Sequence, residues 1–293
     1  MMRFVGIGKV LCVLLMDFSV LFAMFRSPLP AILLTAAVAL YAWQGGRLGL
    51  WQEHAVPGSR LPHMERHRLE EARLQLIEDV RSTSGLDISR IRLYLSPDEA
   101  VNATAYGARC ICVTQGTFES CDQVTLMAVL GHEICHILHF DPEFRRAIFL
   151  SAALAMVGLG IASLAAAVFM TLLFLVVTCF FHSWLGVLAF QGTTKLTGGM
   201  FHLMQLGLVA VFRVIMGLVS RSEEYRSDRY SCRLGYGLQL SHFLAVYAPD
   251  DAQATLSRAL YGSHPSTKKR IARLEQQLET MPRPSCSSVR KRG

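Results

Sequence analysis

The sequence predicts an α-helical membrane protein whose aqueous part is mostly helical and carries a small β-sheet, and three observations predict it. The 293 residues are 52% hydrophobic and only 17% charged, with a mean hydropathy of +0.35, too apolar for an ordinary soluble domain. Long uncharged runs alternate with ordinary polar sequence, so membrane and aqueous parts interleave along the chain. Within the polar sequence one stretch has helical periodicity and another alternates like a strand.

Taken in order, residues 1–46 read as an N-terminal transmembrane hairpin. Phe4 to Phe25 is interrupted only by Lys9 and Asp17, and Ser27 to Trp43 carries no charge, with Arg26, Pro28 and Pro30 at the turn. The alternative is a cleaved secretory signal ending near Ala23, which the immediately following second apolar segment disfavours. Residues 47–146 form a first aqueous part, with a polar helix over Met64 to Thr83 and strand alternation through Ile91, Leu93 and Leu95. Residues 147–219 are a central transmembrane region. Ala147 to Thr194 contains no Asp, Glu, Lys or Arg, and Met200 to Val219 contains only Arg213. Residues 220–280 are a second aqueous part, and 281–293 a disordered basic tail rich in Pro, Ser, Arg and Lys.

The formal net charge of +7 and pI near 9.1 could fit nucleic acid. The basic residues lie beside apolar stretches and in the tail rather than among aromatic platforms, so a lipid bilayer is the expected partner and no nucleic acid is. The 8 cysteines include no C-x-x-C pair and lack the density of a secreted disulfide scaffold, which permits a reducing compartment.

The chemistry sits just before the long apolar run, where His132-Glu133-Ile134-Cys135-His136 spells H-E-x-x-H. Leu126, Val129, Leu130, Ile134, Ile137 and Leu138 surround it at helical spacing, so the motif lies on a helix. There His132 and His136 project one turn apart from the same face and can share a metal ion, with Glu133 displaced toward a metal-bound water. A zinc ion in that place would acidify a water toward neutrality and polarise a carbonyl, with Glu133 as the general base. The motif also occurs as a charged turn of an exposed helix, and a catalytic site needs a third ligand. Candidates lie in Ser220 to Asp228, where Glu224 and Asp228 stand four apart and suit a ligand with a supporting carboxylate. The segment also fits a surface helix with i,i+4 ion pairs. Glu223 reads as a solvated charge, His139 and Asp141 as helix-end and turn residues, and Cys135 as a packed small side chain.

Four segments then resemble one family of membrane zinc peptidases, that of the HtpX-like heat-shock proteases and CAAX prenyl proteases. Asn102-Ala103-Thr104-Ala105-Tyr106-Gly107 is similar to the family's N-A-x-A-x-G stretch, and Thr125 to His136 to its L-x-A-V-L-A-H-E helix. Ser220 to Asp228 resembles S-R-x-x-E-Y-x-A-D, and Ser263-His264-Pro265-Ser266 with Arg270, Ile271 and Leu274 resembles T-H-P-x-x-x-x-R-I-x-x-L. Gly131, Ser227 and Ser263 depart from the usual Ala, Ala and Thr without removing a ligand. The resemblance implies a zinc-metallopeptidase domain with Glu224 as third ligand to one zinc ion per chain and Asp228 as its supporting carboxylate. It implies an endopeptidase acting on polypeptides, membrane proteins among them, in quality control or stress response. A prenyl-protein processing protease and a non-catalytic scaffold or chaperone are the alternatives. Chain length favours the HtpX branch, and retention of the general base argues against a scaffold.

Two roles have physical readings of their own. Asn102 to Tyr106, with small Ala103 and Ala105, is expected to be an edge strand that pairs with an extended substrate, or else a plain hairpin strand packed under the helix. His264 offers a donor for the oxyanion at the scissile carbonyl, or else caps the following helix with Pro265. Because His136 and Glu224 must share one compartment, the chain between them crosses the membrane an even number of times. One crossing is expected within Ile148 to Phe180 and one across Met200 to Val219, with Ser183 to Phe190 interfacial, giving four spanning helices. Arg47, Arg145, Arg146, Arg221, Arg226 and Arg229 flank the metal side, against Arg26 and Lys195 on the other. That bias places the site on the cytoplasmic face of a multi-pass protein of the inner membrane.

Overall fold

The computed structural model describes residues 2–181, 184–248 and 265–280. Helix α1 (Met2–Phe25) and helix α2 (Pro28–Gln52) form an antiparallel pair. The reversal is made by Arg26 in the left-handed region (φ 53), followed by extended Ser27 and by Pro28 at the start of α2, where its missing N–H costs nothing. Beyond α2 comes a four-stranded sheet built from β1 (Val56–Pro57), β2 (Arg92–Ser96), β3 (Ala103–Tyr106) and β4 (Cys110–Thr114), in the order β1-β2-β4-β3. Strands β2 and β4 pair in parallel, and the outer pairings are antiparallel. Gly107 at φ +71 makes the tight turn from β3 into β4.

Helix α3 (His63–Ser84) covers one face of the sheet through Leu69, Leu76 and Val80 and ends at Gly85, whose left-handed φ of 66 lets its N–H reach Arg81 O. The short α4 (Gln115–Ser120) leads to α5 (Gln123–Leu138), which starts where Asp122 Oδ1 accepts the Thr125 N–H at 2.8 Å. Every residue of α5 from Leu126 to Leu138 is buried, so this is the central helix of the aqueous domain. Its apolar face packs on α3, the sheet, α8 (Gly237–Tyr247) and α9 (Thr267–Thr280), with Leu126, Leu130, Ile134, Leu240 and Leu274 essentially inaccessible.

Two long helices complete the fold, α6 (Asp141–Phe181, 41 residues) and α7 (Trp184–Arg233, 50 residues). Among the described residues four helices are long and apolar enough to cross a membrane, Phe4–Phe25, Pro28–Gln52, Asp141–Cys179 and Phe190–Arg233. The fold class expected from the sequence therefore holds, as a helical membrane protein with a small mixed sheet. The surplus apolar length of 147–194 is taken up by continuation of single helices. At ~1.5 Å per residue α6 is ~60 Å long, about twice the hydrocarbon core of a bilayer. Ser183 lies outside the described residues, as do the side chains of 184–189.

The membrane helices are held by a second apolar cluster of Val13, Val38, Ala42 and Ala147. One polar pair inside this layer is satisfied internally, as absence of water favours. Ser151 Oγ donates to Asp17 Oδ2 at 2.6 Å, tying α1 to α6. Arg213 is exposed on α7, about two turns before Ser220, close enough to the aqueous end for a long side chain to snorkel. Helix α7 runs on without a break into the aqueous domain, where Ser231 Oγ bonds Ala128 O at 2.8 Å. A methyl group on Gly131 would sit 3.1 Å from Leu234 Cδ1, so glycine before His132 lets α7 lie close against the central helix.

Candidate metal centre

The site is built where α7 crosses α5. On α5 the four-residue spacing brings His132 Nε2 and His136 Nε2 to 3.2 Å from each other. From α7, Glu224 places Oε2 at 3.3 Å from His132 Nε2 and Oε1 at 3.9 Å from His136 Nε2. The three side chains are buried and their ligand atoms lie within 4.8 Å of one another. A tetrahedral zinc with bonds of ~2.0–2.1 Å needs donor–donor separations of ~3.3 Å. The observed spacings and the His₂Glu donor set therefore fit one zinc ion.

Each histidine is backed by a carboxylate on its other nitrogen. Asp228, one turn after Glu224, puts Oδ1 at 3.0 Å from His132 Nδ1. Asp141, the first residue of α6, puts Oδ2 at 2.9 Å from His136 Nδ1. With a metal ion bound, these contacts would fix the tautomer that leaves Nε2 as the donor atom. Burial alone would push the His132 imidazole down, but Asp228 and Glu224 outweigh it and hold the metal-free group up at about 10. Zinc must therefore displace a proton to bind.

The surrounding charges are paired. Arg270, from α9, holds Asp228 with two bonds, Nε to Oδ2 at 2.8 Å and Nη2 to Oδ1 at 2.6 Å, and its Nη1 lies 3.2 Å from Glu224 Oε2. Arg145 Nε donates to Glu223 Oε2 at 2.8 Å, and Arg226 pairs with Asp141. Glu223 is thus not a solvated charge. It is 1% exposed, because the face of α7 it occupies is covered by α6. Asp141 is not merely a turn residue either, since helix α6 begins at the level of the metal helix and turns its first carboxylate onto His136.

Glu133 points toward the sheet, where Oε2 accepts the Ala105 N–H at 2.8 Å. Strand β3 is the last strand of the sheet. Its pairs with β4 are Ala103 with Val113 and Ala105 with Ile111. The Ala105 N–H turns away from β4 toward the cleft, and the Ala103 N–H is met by Asn102 Oδ1 at 2.9 Å. A cleft of about 650 Å³ runs between this edge and Leu240, Phe243 and Leu244 of α8, and His132, His136 and Glu224 line it. The structure thus brings Asn102, Ala103, Ala105, His132, Glu133, His136 and Glu224 to one cleft, with Asp228 behind His132. His264 lies outside the described residues. Sequence reasoning missed Asp141 and the clamp that Arg270 makes on Asp228. The only local signal for Asp141 is its place five residues after His136, and a helix-starting Asp-Pro pair masks it.

A model of Peptidase family M48 matches residues 68–278, a span containing all four segments quoted above. The chain is similar to Protease HtpX of Idiomarina loihiensis, 22% identical over 270 residues, which cover 81% of this chain and 84% of the relative. It is 26% identical over 259 residues to a Protease HtpX homolog of Pseudarthrobacter chlorophenolicus, covering 78% and 80% of the two chains. A Protease HtpX homolog of Kineococcus radiotolerans is 29% identical over 142 residues, 46% of this chain and 45% of the relative.

Proposed function

The chain belongs to peptidase family M48 and is a membrane metalloprotease of the HtpX-like kind, and from that premise we propose that one zinc ion held by His132, His136 and Glu224 serves peptide-bond hydrolysis with Glu133 as general base. The observation that carries this reading is the juxtaposition of a His₂Glu donor set with a carboxylate anchored by a strand edge. Zinc, when bound, supplies an acidified water and polarises the scissile carbonyl.

The protein's own groups do the rest. The Ala105 N–H holds Glu133 Oε2, leaving Oε1 to take the proton of the attacking water and pass it to the leaving amine. Asp228 and Asp141 keep the two imidazoles in register with the donor positions. The outer edge of β3, with Asn102, Ala103 and Ala105, is the strand against which an extended polypeptide aligns, the Ala103 N–H exchanging its bond to Asn102 Oδ1 for one to the substrate. His264 is assigned the role of oxyanion donor on motif resemblance alone. Because α5 and α7 join the cleft directly to the membrane helices, polypeptides emerging from the bilayer are the natural substrates, and membrane-protein quality control the role. The arginine bias around the metal side supports a site facing the cytoplasm.

The decisive experiment compares purified wild type, Glu133→Gln and Glu224→Ala in detergent, measuring cleavage of a membrane-protein substrate and zinc per chain. Glu133→Gln is expected to lose about 100- to 10,000-fold in rate while retaining its zinc. Glu224→Ala is expected to lose the metal itself. Wild-type cleavage by Glu133→Gln, or full zinc in Glu224→Ala, would sink the assignment.

A further inference from the structure

Lys9 is a cation in the first third of the apolar helix α1. It lies in the span-capable segment Phe4–Phe25, outside the part of the chain that the family model matches. A lysine there carries a substantial free-energy cost unless something compensates it.

Two contacts show where α1 goes. Gly6 packs on the end of the metal-bearing helix so closely that a Cβ would stand 2.4 Å from His139 O and 2.9 Å from the Phe140 ring. Three residues later, on the same face, Lys9 Nζ reaches 3.4 Å from Asp141 Oδ1 and 4.0 Å from Glu223 Oε1, and lies 5.5 Å from the centre of the Phe144 ring. Asp141 is 1% exposed. Its Oδ2 takes His136 Nδ1 and the Arg226 guanidinium, so the Lys9 ammonium occupies the other oxygen. A buried carboxylate gripped at both oxygens cannot rotate about its terminal torsion, and that torsion decides whether Oδ2 faces the imidazole.

We infer that Lys9 is a positioning residue of the metal centre. The N-terminal membrane helix delivers a cation that locks Asp141, and Asp141 fixes the ring of His136 toward the metal. This rests on the reading that His136 is a metal ligand, and adds that α1 is part of the site rather than only an anchor. A plain charge-neutralising role for Lys9 has an opposite signature. Removing a positive charge near a divalent cation would by itself tighten metal binding, whereas freeing Asp141 would loosen it.

The test is the apparent zinc dissociation constant of the full-length protein in detergent, measured by competition with a chromophoric chelator and backed by thermal unfolding of each metal-free variant. Lys9→Met is expected to weaken zinc binding by about 10- to 100-fold, the range for loss of a group that orients a ligand. Lys9→Arg, which keeps the cation, should restore it to within about 3-fold of wild type. On an Asp141→Asn background Lys9→Met should add little, because the two act in series. Where Lys9→Met does not fold, Lys9→Leu, which likewise removes the cation and every donor, tests the same prediction. Unchanged or tighter binding in folded Lys9→Met or Lys9→Leu overturns the inference. Full zinc affinity in His136→Ala overturns instead the ligand assignment on which it rests.

Discussion

Replacing Arg270 tests how the site is held in the absence of metal. The guanidinium is 9% exposed, and the carboxylates it serves, Asp228 and Glu224, are 3% and 4% exposed. Its bonds to Asp228 at 2.8 and 2.6 Å are bidentate, and the third nitrogen lies 3.2 Å from Glu224. In the metal-free protein the two buried carboxylates are faced by Arg270, by protonated His132 and, at 3.9 Å from Glu224 Oε1, by Arg145. Arg270→Met removes the cation that is bonded to both and leaves Asp228 with His132 alone, a change that costs ~3–5 kcal/mol, a large share of the ~5–15 kcal/mol that holds a typical protein folded. Zinc brings two positive charges to the same carboxylates, so the zinc-loaded variant should lose much less. The assay is thermal or denaturant unfolding in detergent of wild type and Arg270→Met, each chelator-treated and zinc-loaded. The double variant Arg270→Met with Asp228→Asn, in which no carboxylate is left unpaired at that position, should be less destabilised than the sum of the single changes by at least ~1 kcal/mol. A loss below ~1 kcal/mol in the metal-free Arg270→Met protein, an equal loss with zinc, or strict additivity would refute the reasoning.

The edge strand and the membrane orientation are tested separately. Ala103→Pro removes the outward N–H that Asn102 Oδ1 holds in the free protein and that a bound strand would take over, while proline leaves the ladder to β4 intact. One lost hydrogen bond should raise KM by about 2- to 10-fold with zinc content unchanged, and an unchanged KM would remove β3 from the substrate site. For orientation, single cysteines introduced at Arg60 and Glu99 should be protected from a membrane-impermeant reagent added to intact cells and react after permeabilisation. Labelling in intact cells would place the metal site on the opposite face.

The parts of the fold legible in sequence are those with short-range causes. Helical spacing alone put His132 and His136 on one face, and the structure realises it with their Nε2 atoms 3.2 Å apart. The polar helix expected over Met64 to Thr83 is α3, and the alternation through Leu93 and Leu95 is β2, with both leucines 5% exposed. Hydropathy identified the apolar runs because every buried or lipid-facing turn must be apolar whatever it packs against. It could not say where an apolar run stops being one helix and becomes two, because helix length within a membrane is set by packing as well as by composition.

Glu223 and Glu224 show the limit most clearly. They are adjacent and chemically identical, yet one pairs with Arg145 and the other faces both histidines. The four-residue spacing to Asp228 favours Glu224, but it does not reveal that Glu223 is buried as well, because a helix turns ~100° per residue and the faces that are covered depend on how α7 crosses its neighbours. The same holds for Asp141, which reads locally as a helix start and becomes the partner of His136 only when α6 is stacked beside the metal helix.

The sequence by itself determined the pair of imidazoles with its neighbouring base, and the alternation of membrane and aqueous segments, since both follow from periodicity and solvent preference along a contiguous stretch. The tertiary structure decided which distant charges compensate one another. Lys9, Asp141, Glu224, Asp228 and Arg270 come from four helices spread over most of the chain, and their worth arises from burial together. A charge removed from water must be met within a few ångströms by its opposite, and only the packing of the helices determines which opposite that is.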